Sequence, residues 1–591
     1  MWGAASSLAL ASMALSLAGC SSTTPAPGAR GAPSHIEITL IGFNDLHGNL
    51  EPPHMAHSVH GPAGPVLVPA GGMAYFASAM AALKAQSQHH AVVSAGDMVG
   101  ASPLMSSLFL DEPTIEAVNR MQIDFNAVGN HEFDRGWREL LRLQHGGCEK
   151  FTNRQPCRIS QPFEGAQFGL LAANTVREDG HTLLPATGLK RFTEGGVTVT
   201  MGFIGLTLQA TPTMVSPSGV AGLRFEDEAA TANALIPQLR AQGADVIVVA
   251  IHEGGGTKAG VQESSCSGLS GDIVPILERL DPAVDVVVSG HTHQAYVCDY
   301  SRVNAAKPFL LTSAGQYGTL LTDIQLRVDT QTRRVVRKTA RNVVVQGEAF
   351  TGAQGFVPLT TAVPAFPPDA GVQKIIDTYR AAAVPLAQRP VGQAQGPMRR
   401  QPNAALETVL GNLVADAQLW ATRAPEDGGA QLSLMNPGGL RADLVPDEQG
   451  LVRFGQLYAV QPFGNQLVVK TFTGAQIRAV LEQQFASAGN TLHRPRVLSV
   501  SSGFSYRFDL SQPAGARISQ MVLNGVPVAD VQSVRVVMSS FLDSGGDNFT
   551  VLTQGVNRRV GALDLDALEA YFRLQSPVAL PATDRITRVA R

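Results

Sequence analysis

Five short polar clusters, each placed where an apolar run ends, constrain this chain more than any other feature. They are Asp45-Leu46-His47, Gly96-Asp97, Gly129-Asn130-His131-Glu132, His252-Glu253 and Gly290-His291-Thr292-His293. The runs before them (36–43, 91–94, 123–128, 246–251 and 284–289) have the length and composition of buried strands. Taken singly, each cluster reads as an ordinary loop. Taken together, they set two Asp, an Asn and several His at the carboxyl ends of successive strands, where α/β folds build their sites. Such a mixture of oxygen and nitrogen donors suits two divalent cations facing a phosphate ester.

The remaining periodicity supports an α/β reading. Helical spacing over 73–86, 114–121 and 226–241 alternates with strand-like runs at 168–173, 197–204, 309–312 and 320–328. At 591 residues the chain is too long for one core. A Pro-, Gly- and Thr-rich stretch at 346–369 marks a boundary, and a helix at 372–384 leads into the second half. That half reads as helix at 407–421, strands at 432–435, 467–471 and 534–538, and a further helix at 474–485. Residues 54–69 are rich in Gly, Pro and His and read as a solvated loop, in preference to an extra metal site at His54, His57 and His60. No internal repeat is visible.

Net charge is −3 with no basic block, which argues against a nucleic-acid polymer as partner. Residues 1–20 read as an export signal whose apolar stretch is too short to span a bilayer comfortably. The run Leu17-Ala18-Gly19-Cys20 resembles a bacterial lipoprotein signal, which implies a lipid anchor at Cys20 and a flexible tether over 21–35. No Lys or Arg precedes Arg30, so the positive segment of such signals is missing. The expectation is an exported, membrane-anchored monomer facing the periplasm or the cell surface. Apart from Cys20, four cysteines remain, and pairing by proximity gives Cys148–Cys157 and Cys266–Cys298.

Two cations about 3.5–4 Å apart need a bridging carboxylate, and Asp97 is the natural candidate. Asp45 and His47 share a face at i and i+2. His291 and His293 have the same spacing and can serve different ions, with Asn130 and His252 completing the set. His131, beside a ligand, is placed to face substrate and stabilise phosphoryl charge, with Asp134 orienting its ring.

These motifs resemble calcineurin-like metallophosphoesterases, and with the downstream segments 436–441, 461–465 and 541–547 the chain resembles the two-domain 5′-nucleotidase family. The resemblance implies a four-layer α/β/β/α sandwich over 36–345, a linker and hinge helix over 346–390, and a smaller α/β substrate-binding domain over 391–591. It implies that Asp45, His47, Asp97 and His293 hold one divalent ion (manganese, zinc, cobalt or iron), and that Asp97, Asn130, His252 and His291 hold the other. It pairs His131 with Asp134 as a catalytic dyad. Phe463 and Phe541, which alone read as core aromatics, become a clamp for a nucleobase. Asn465 becomes a base contact, Asp547 a ribose contact, and Asn436 and Arg441 phosphate-side contacts. Arg400 is the candidate for a further phosphate-side arginine. The implied activity is phosphate release from nucleoside 5′-monophosphates by metal-activated hydroxide, extending to UDP-sugars or 2′,3′-cyclic nucleotides. The competing readings are a dimetal hydrolase of a non-nucleotide ester and a non-catalytic nucleotide-binding lipoprotein.

Overall fold

A computed structural model of the chain describes residues 33–61, 64–152, 154–215, 219–352, 355–487 and 489–589. The export signal, Cys20 and the tether up to residue 32 lie outside the described residues. Among the described residues no helix is long and apolar enough to cross a membrane.

The first half holds two six-stranded sheets. One runs Arg334–Val344, Leu320–Asp329, His35–Phe43, His90–Ser94, Phe125–Ala127, Gly169–Leu171. The other runs Ala295–Asp299, Leu310–Ala314, Val286–Ser289, Val246–Ile251, Val197–Leu206, Thr187–Glu194. The apolar runs are continuous because both faces of each sheet are covered. Along His35–Phe43, Ile36, Ile38 and Leu40 enter the core between the sheets, while Ile41 and Phe43 turn to the outer core. Along Val246–Ile251, Val246 and Val248 face inward, and Ile247, Val249 and Ile251 face out. Each such fully buried side chain contributes about 1.5–3 kcal/mol.

Helices complete the outer layers. Met73–Lys84 and Glu112–Met121 pack on the first sheet with Ala370–Ala387 laid over them, and Glu228–Ala241 and Ile273–Arg279 pack on the second. The result is the expected α/β/β/α arrangement. Two helices start two residues later than their apolar periodicity suggests, because a side chain caps them. Asp227 accepts a hydrogen bond from the Ala230 amide at 2.8 Å, and Thr408 from the Gly411 amide at 3.0 Å.

The expected loop at 54–69 is instead an antiparallel hairpin, Met55–Gly61 with Gly64–Ala70. Val59, Val66 and Val68 favour extended backbone, and a two-stranded ribbon tolerates Pro65 and Pro69 because both strands are edges. Its histidines do not converge. His54 stacks on Phe350 at 5.5 Å, and burial lowers the His57 pKa to about 4.

The second half is built on a five-stranded mixed sheet, in the order Ser499–Val500, Leu432–Met435, Ser533–Ser539, Gln466–Thr473, Val556–Leu563. Helices Val409–Thr422 and Asp564–Gln575 share one core cluster, and Gly474–Glu482 packs in another with the strand Phe504–Phe508. Helix Ala370–Ala387 buries Val372, Ile376, Tyr379 and Ala383 in the outer core of the first half. The Tyr379 hydroxyl donates to Glu116 at 2.9 Å. Both disulfides pair as expected from proximity, Cys148–Cys157 and Cys266–Cys298.

Candidate metal centre and substrate cavity

All five polar clusters meet in one crevice at the carboxyl ends of the strands. The loops turn sharply to bring them there. Asp45, His47, Asp97, His291 and His293 have φ of 51°, 45°, 51°, 67° and 58°, the left-handed region that costs a non-glycine residue roughly 1–2 kcal/mol. Five such residues in one crevice mark a site at which packing imposes the conformation. Two glycines are required by close approach. A Cβ on Gly96 would lie 2.7 Å from both the Gly129 amide nitrogen and His252 Nδ1, and one on Gly129 would lie 2.3 Å from Asp97 Oδ1.

The side chains form two groups joined through Asp97. In one, His47 Nε2 lies 3.0 Å from His293 Nε2 and 3.7 Å from Asp45 Oδ1, with His293 Nε2 3.4 Å from the same oxygen. In the other, His252 Nε2 lies 3.0 Å from Asp97 Oδ2 and 3.2 Å from Asn130 Oδ1, and His291 Nδ1 lies 3.1 Å from Asn130 Oδ1. Asp97 Oδ2 is also 3.6 Å from His47 Nε2, so one carboxylate reaches both groups.

The donor set fits a pair of cations. Asp45 Oδ1 is buried without a hydrogen-bond partner, an arrangement a cation would satisfy. His47 Nδ1 faces the Gly100 carbonyl at 2.9 Å and His252 Nδ1 faces the Ala95 carbonyl at 2.8 Å. A carbonyl only accepts, so each Nδ1 carries a proton, which leaves Nε2 as the nitrogen available to face a cation. Burial alone would raise the carboxyl pKa values of Asp45 and Asp97, but the surrounding histidines outweigh it and hold both well below the ordinary range. Burial and the neighbouring His252 charge lower the His291 pKa to about 3, leaving a neutral donor. Burial would also lower that of His252, yet Asp97 beside it drives it up to about 10.

Glu132 holds the loops in register. Its carboxylate accepts from the amides of Asp97 (3.0 Å), Met98 (2.7 Å), Val99 (3.3 Å) and Gly129 (2.6 Å). His131 projects beside the metal groups. Its Nδ1 lies 2.9 Å from Asp134 Oδ2, which also accepts from the Ala101 amide at 3.0 Å. Burial would lower its pKa, but Asp134 and Asp97 outweigh that and raise it, favouring an imidazolium.

The second half faces this crevice across a cavity of about 340 Å³. Asn130, His131, Asp134 and His291 form one side, while Asn436, Arg441, Phe463, Asn465, Phe541 and Asp547 contribute from the other. The Phe463 ring lies nearly parallel to His131 at 5.9 Å, with the Arg441 guanidinium 5.8 Å from its centre. Asn436 donates to Asp547 Oδ2 at 2.8 Å. Asn465 Nδ2 donates to Asp564 at 3.3 Å, leaving the residue on the cavity rim. Arg400 is not among the cavity residues. Its guanidinium donates to the Leu440 carbonyl at 3.2 Å and pairs with Asp443 at 3.6 Å.

Three residues not singled out from sequence join the site. Arg496 lines the cavity and hydrogen-bonds Asp547 Oδ1, while Asp547 is buried in a left-handed conformation (φ 54°). Tyr317 places its ring 5.9 Å from His47 and 5.8 Å from His293, and its amide donates to the Asp45 carbonyl at 2.7 Å. Glu132 is the third. Its motif was visible, but its four amide contacts were not.

Two facing sheets with oxygen and nitrogen donors at their strand ends define the calcineurin-like phosphoesterase class, and residues 38–295 match the family model of that description. Residues 390–554 match the model for the 5′-nucleotidase C-terminal domain. The chain therefore belongs to the two-domain 5′-nucleotidase family. It is 28% identical over 556 residues to Endonuclease YhcR of Bacillus subtilis (strain 168), covering 93% of this chain and 41% of that protein. It is 23% identical over 595 residues to the 5′-nucleotidase of Diplobatis ommata, covering 94% and 90% respectively. The structure of the 5′-nucleotidase precursor from Thermus thermophilus covers 94% of this chain and 100% of its own, with a TM-score of 0.70 and 26% identity. This chain thus spans less than half the length of YhcR.

Proposed function

We propose that the chain is an exported dimetal phosphohydrolase that releases phosphate from nucleoside 5′-monophosphates. The observation that carries this reading is the shared cavity, in which His131 and His291 face Phe463, Phe541 and Asp547. Asp45, His47, Asp97 and His293 would hold one divalent ion, and Asp97, Asn130, His252 and His291 the other. Bound there, the pair would supply Lewis acidity to the phosphoryl oxygens and the attacking water. The chain's own groups do the rest. Phe463 and Phe541 offer faces to a base, and Asp547 accepts from ribose hydroxyls. Arg441 and Asn436 donate toward the phosphate side, and the protonated His131 stabilises charge developing on the phosphoryl group. Fixing the nucleoside on one half and the ester on the other orients the phosphorus for in-line attack. Two disulfides agree with an oxidising compartment. The test is phosphate release by residues 24–591 from AMP, with manganese and with chelator. Metal-dependent release is expected, and its absence with every divalent ion tried would return the chain to the binding-protein reading.

Arg496 gives a second test. Its guanidinium keeps the buried Asp547 carboxylate oriented toward the cavity, and Arg496→Ala would leave that carboxylate without its cation. KM for AMP is expected to rise about tenfold or more with a smaller change in kcat. For 2′,3′-dideoxy-AMP, which lacks the hydroxyls, the change should be within about twofold.

A further inference from the structure

A second, larger cavity of about 790 Å³ opens beside the dyad. It shares Asp134, Phe463 and Gly464 with the substrate cavity, so the two meet at the Phe463 ring. Its wall is basic. Arg135, Arg138, Lys150 and Arg154 line it against the single carboxylate of Asp134, which His131 and the Ala101 amide already engage. Arg135 is paired with Asp111. The other three form no ion pair among the described residues. The Arg138 guanidinium lies 5.3 Å from the centre of the Trp137 ring, and Arg154 donates to two neutral acceptors, the Ser107 carbonyl at 2.6 Å and the Tyr458 hydroxyl at 3.3 Å.

The loop that brings Lys150 and Arg154 to this wall is anchored. The Cys148–Cys157 disulfide closes it, and the Cys157 amide donates to Glu112 Oε1 at 2.9 Å. That oxygen also accepts from the buried Arg142 at 2.8 Å. Several cations without a fixed counter-charge, converging in a concave site, favour phosphate oxygens. We propose that this cavity is a second phosphate subsite, and the assignment rests on the nucleotide reading of the neighbouring site. Its phosphate belongs either to the distal part of a substrate longer than a nucleoside monophosphate or to a free anion binding independently of substrate.

The experiment compares wild type with the double variant Arg138→Ala, Lys150→Ala, and with the charge-preserving pair Arg138→Lys, Lys150→Arg. KM and kcat are measured for AMP and for diadenosine diphosphate, and the number of bound inorganic pyrophosphates is counted by calorimetry on the manganese-loaded protein. If the distal phosphate of a substrate sits here, the alanine pair raises KM for the dinucleotide about tenfold and leaves AMP within about twofold, while the charge-preserving pair stays near wild type. If a free anion sits here, the alanine pair loses one pyrophosphate and both KM values hold. Unchanged KM values with unchanged pyrophosphate stoichiometry would overturn the subsite, as would a parallel loss on AMP and the dinucleotide. Loss of one pyrophosphate in a protein that never hydrolyses AMP would keep the subsite and discard the nucleotidase reading instead.

Discussion

Asp97→Ala is expected to lower kcat/KM for AMP by about a thousandfold or more. Asp97 Oδ2 lies within 3.0 Å of His252 Nε2 and 3.6 Å of His47 Nε2, so removing it withdraws the one carboxylate common to both groups. Lewis-acid stabilisation by a bound ion is worth several kcal/mol, and each tenfold in rate corresponds to about 1.4 kcal/mol. The loss should come with the metal, so elemental analysis of the purified variant should find fewer than two equivalents per chain. The variant should still fold, because Glu132 can hold the surrounding amides without Asp97's carboxylate. Full activity with two bound ions would remove Asp97 from its assigned place.

His131→Ala should behave differently. The imidazole touches Asp134 and lines the cavity, while the oxygen and nitrogen donors of the two metal groups remain in place without it. Metal content is therefore expected to stay at wild-type level while kcat falls about 10²–10⁴-fold, the range for loss of a positioned acid or charge-stabilising donor. KM should change little, since the proposed nucleoside contacts are Phe463, Phe541 and Asp547, on the other half of the molecule. A variant that loses metal and activity together would instead make His131 a ligand. That alternative is concrete, because His131 also falls within reach of His47 and Asp97.

The layers of the fold were legible because burial on both sheet faces writes each strand as an unbroken apolar run, and Val246–Ile251 is the clearest case. The crevice was legible for a related reason. Once strands are placed, polar residues at their carboxyl ends lie along one edge of the sheet, although Asp45 and His47 reach a shared target through left-handed turns past Phe43 and not through the i and i+2 spacing of a strand. Side chains whose partners are distant backbone groups were not legible. Glu132 binds amides some thirty residues earlier in the chain, and nothing in its local pattern distinguishes it from a solvated helix-start acid. Arg496 sits in Leu492-His493-Arg494-Pro495-Arg496, which reads as a basic surface turn, and only folding brings Asp547 against it. Arg400 was placed by resemblance alone, and it lies outside the cavity lining, beside Asp443. The hairpin at 55–70 was hidden by composition, since proline content outweighed a valine alternation that only an edge ribbon can use.

In the function proposed, the two halves form one nucleotide site, with chemistry on the first and base recognition on the second. The most direct measurement is kcat/KM of Phe463→Ala, Phe541→Ala against AMP and against bis(p-nitrophenyl) phosphate, which has no base to clamp. Stacking worth about 1–3 kcal/mol per ring predicts a fall of about a hundredfold or more on AMP, with the diester within about threefold of wild type. Equal losses on both substrates, or no loss on AMP, would contradict the account and leave a dimetal centre whose substrate is not a nucleotide.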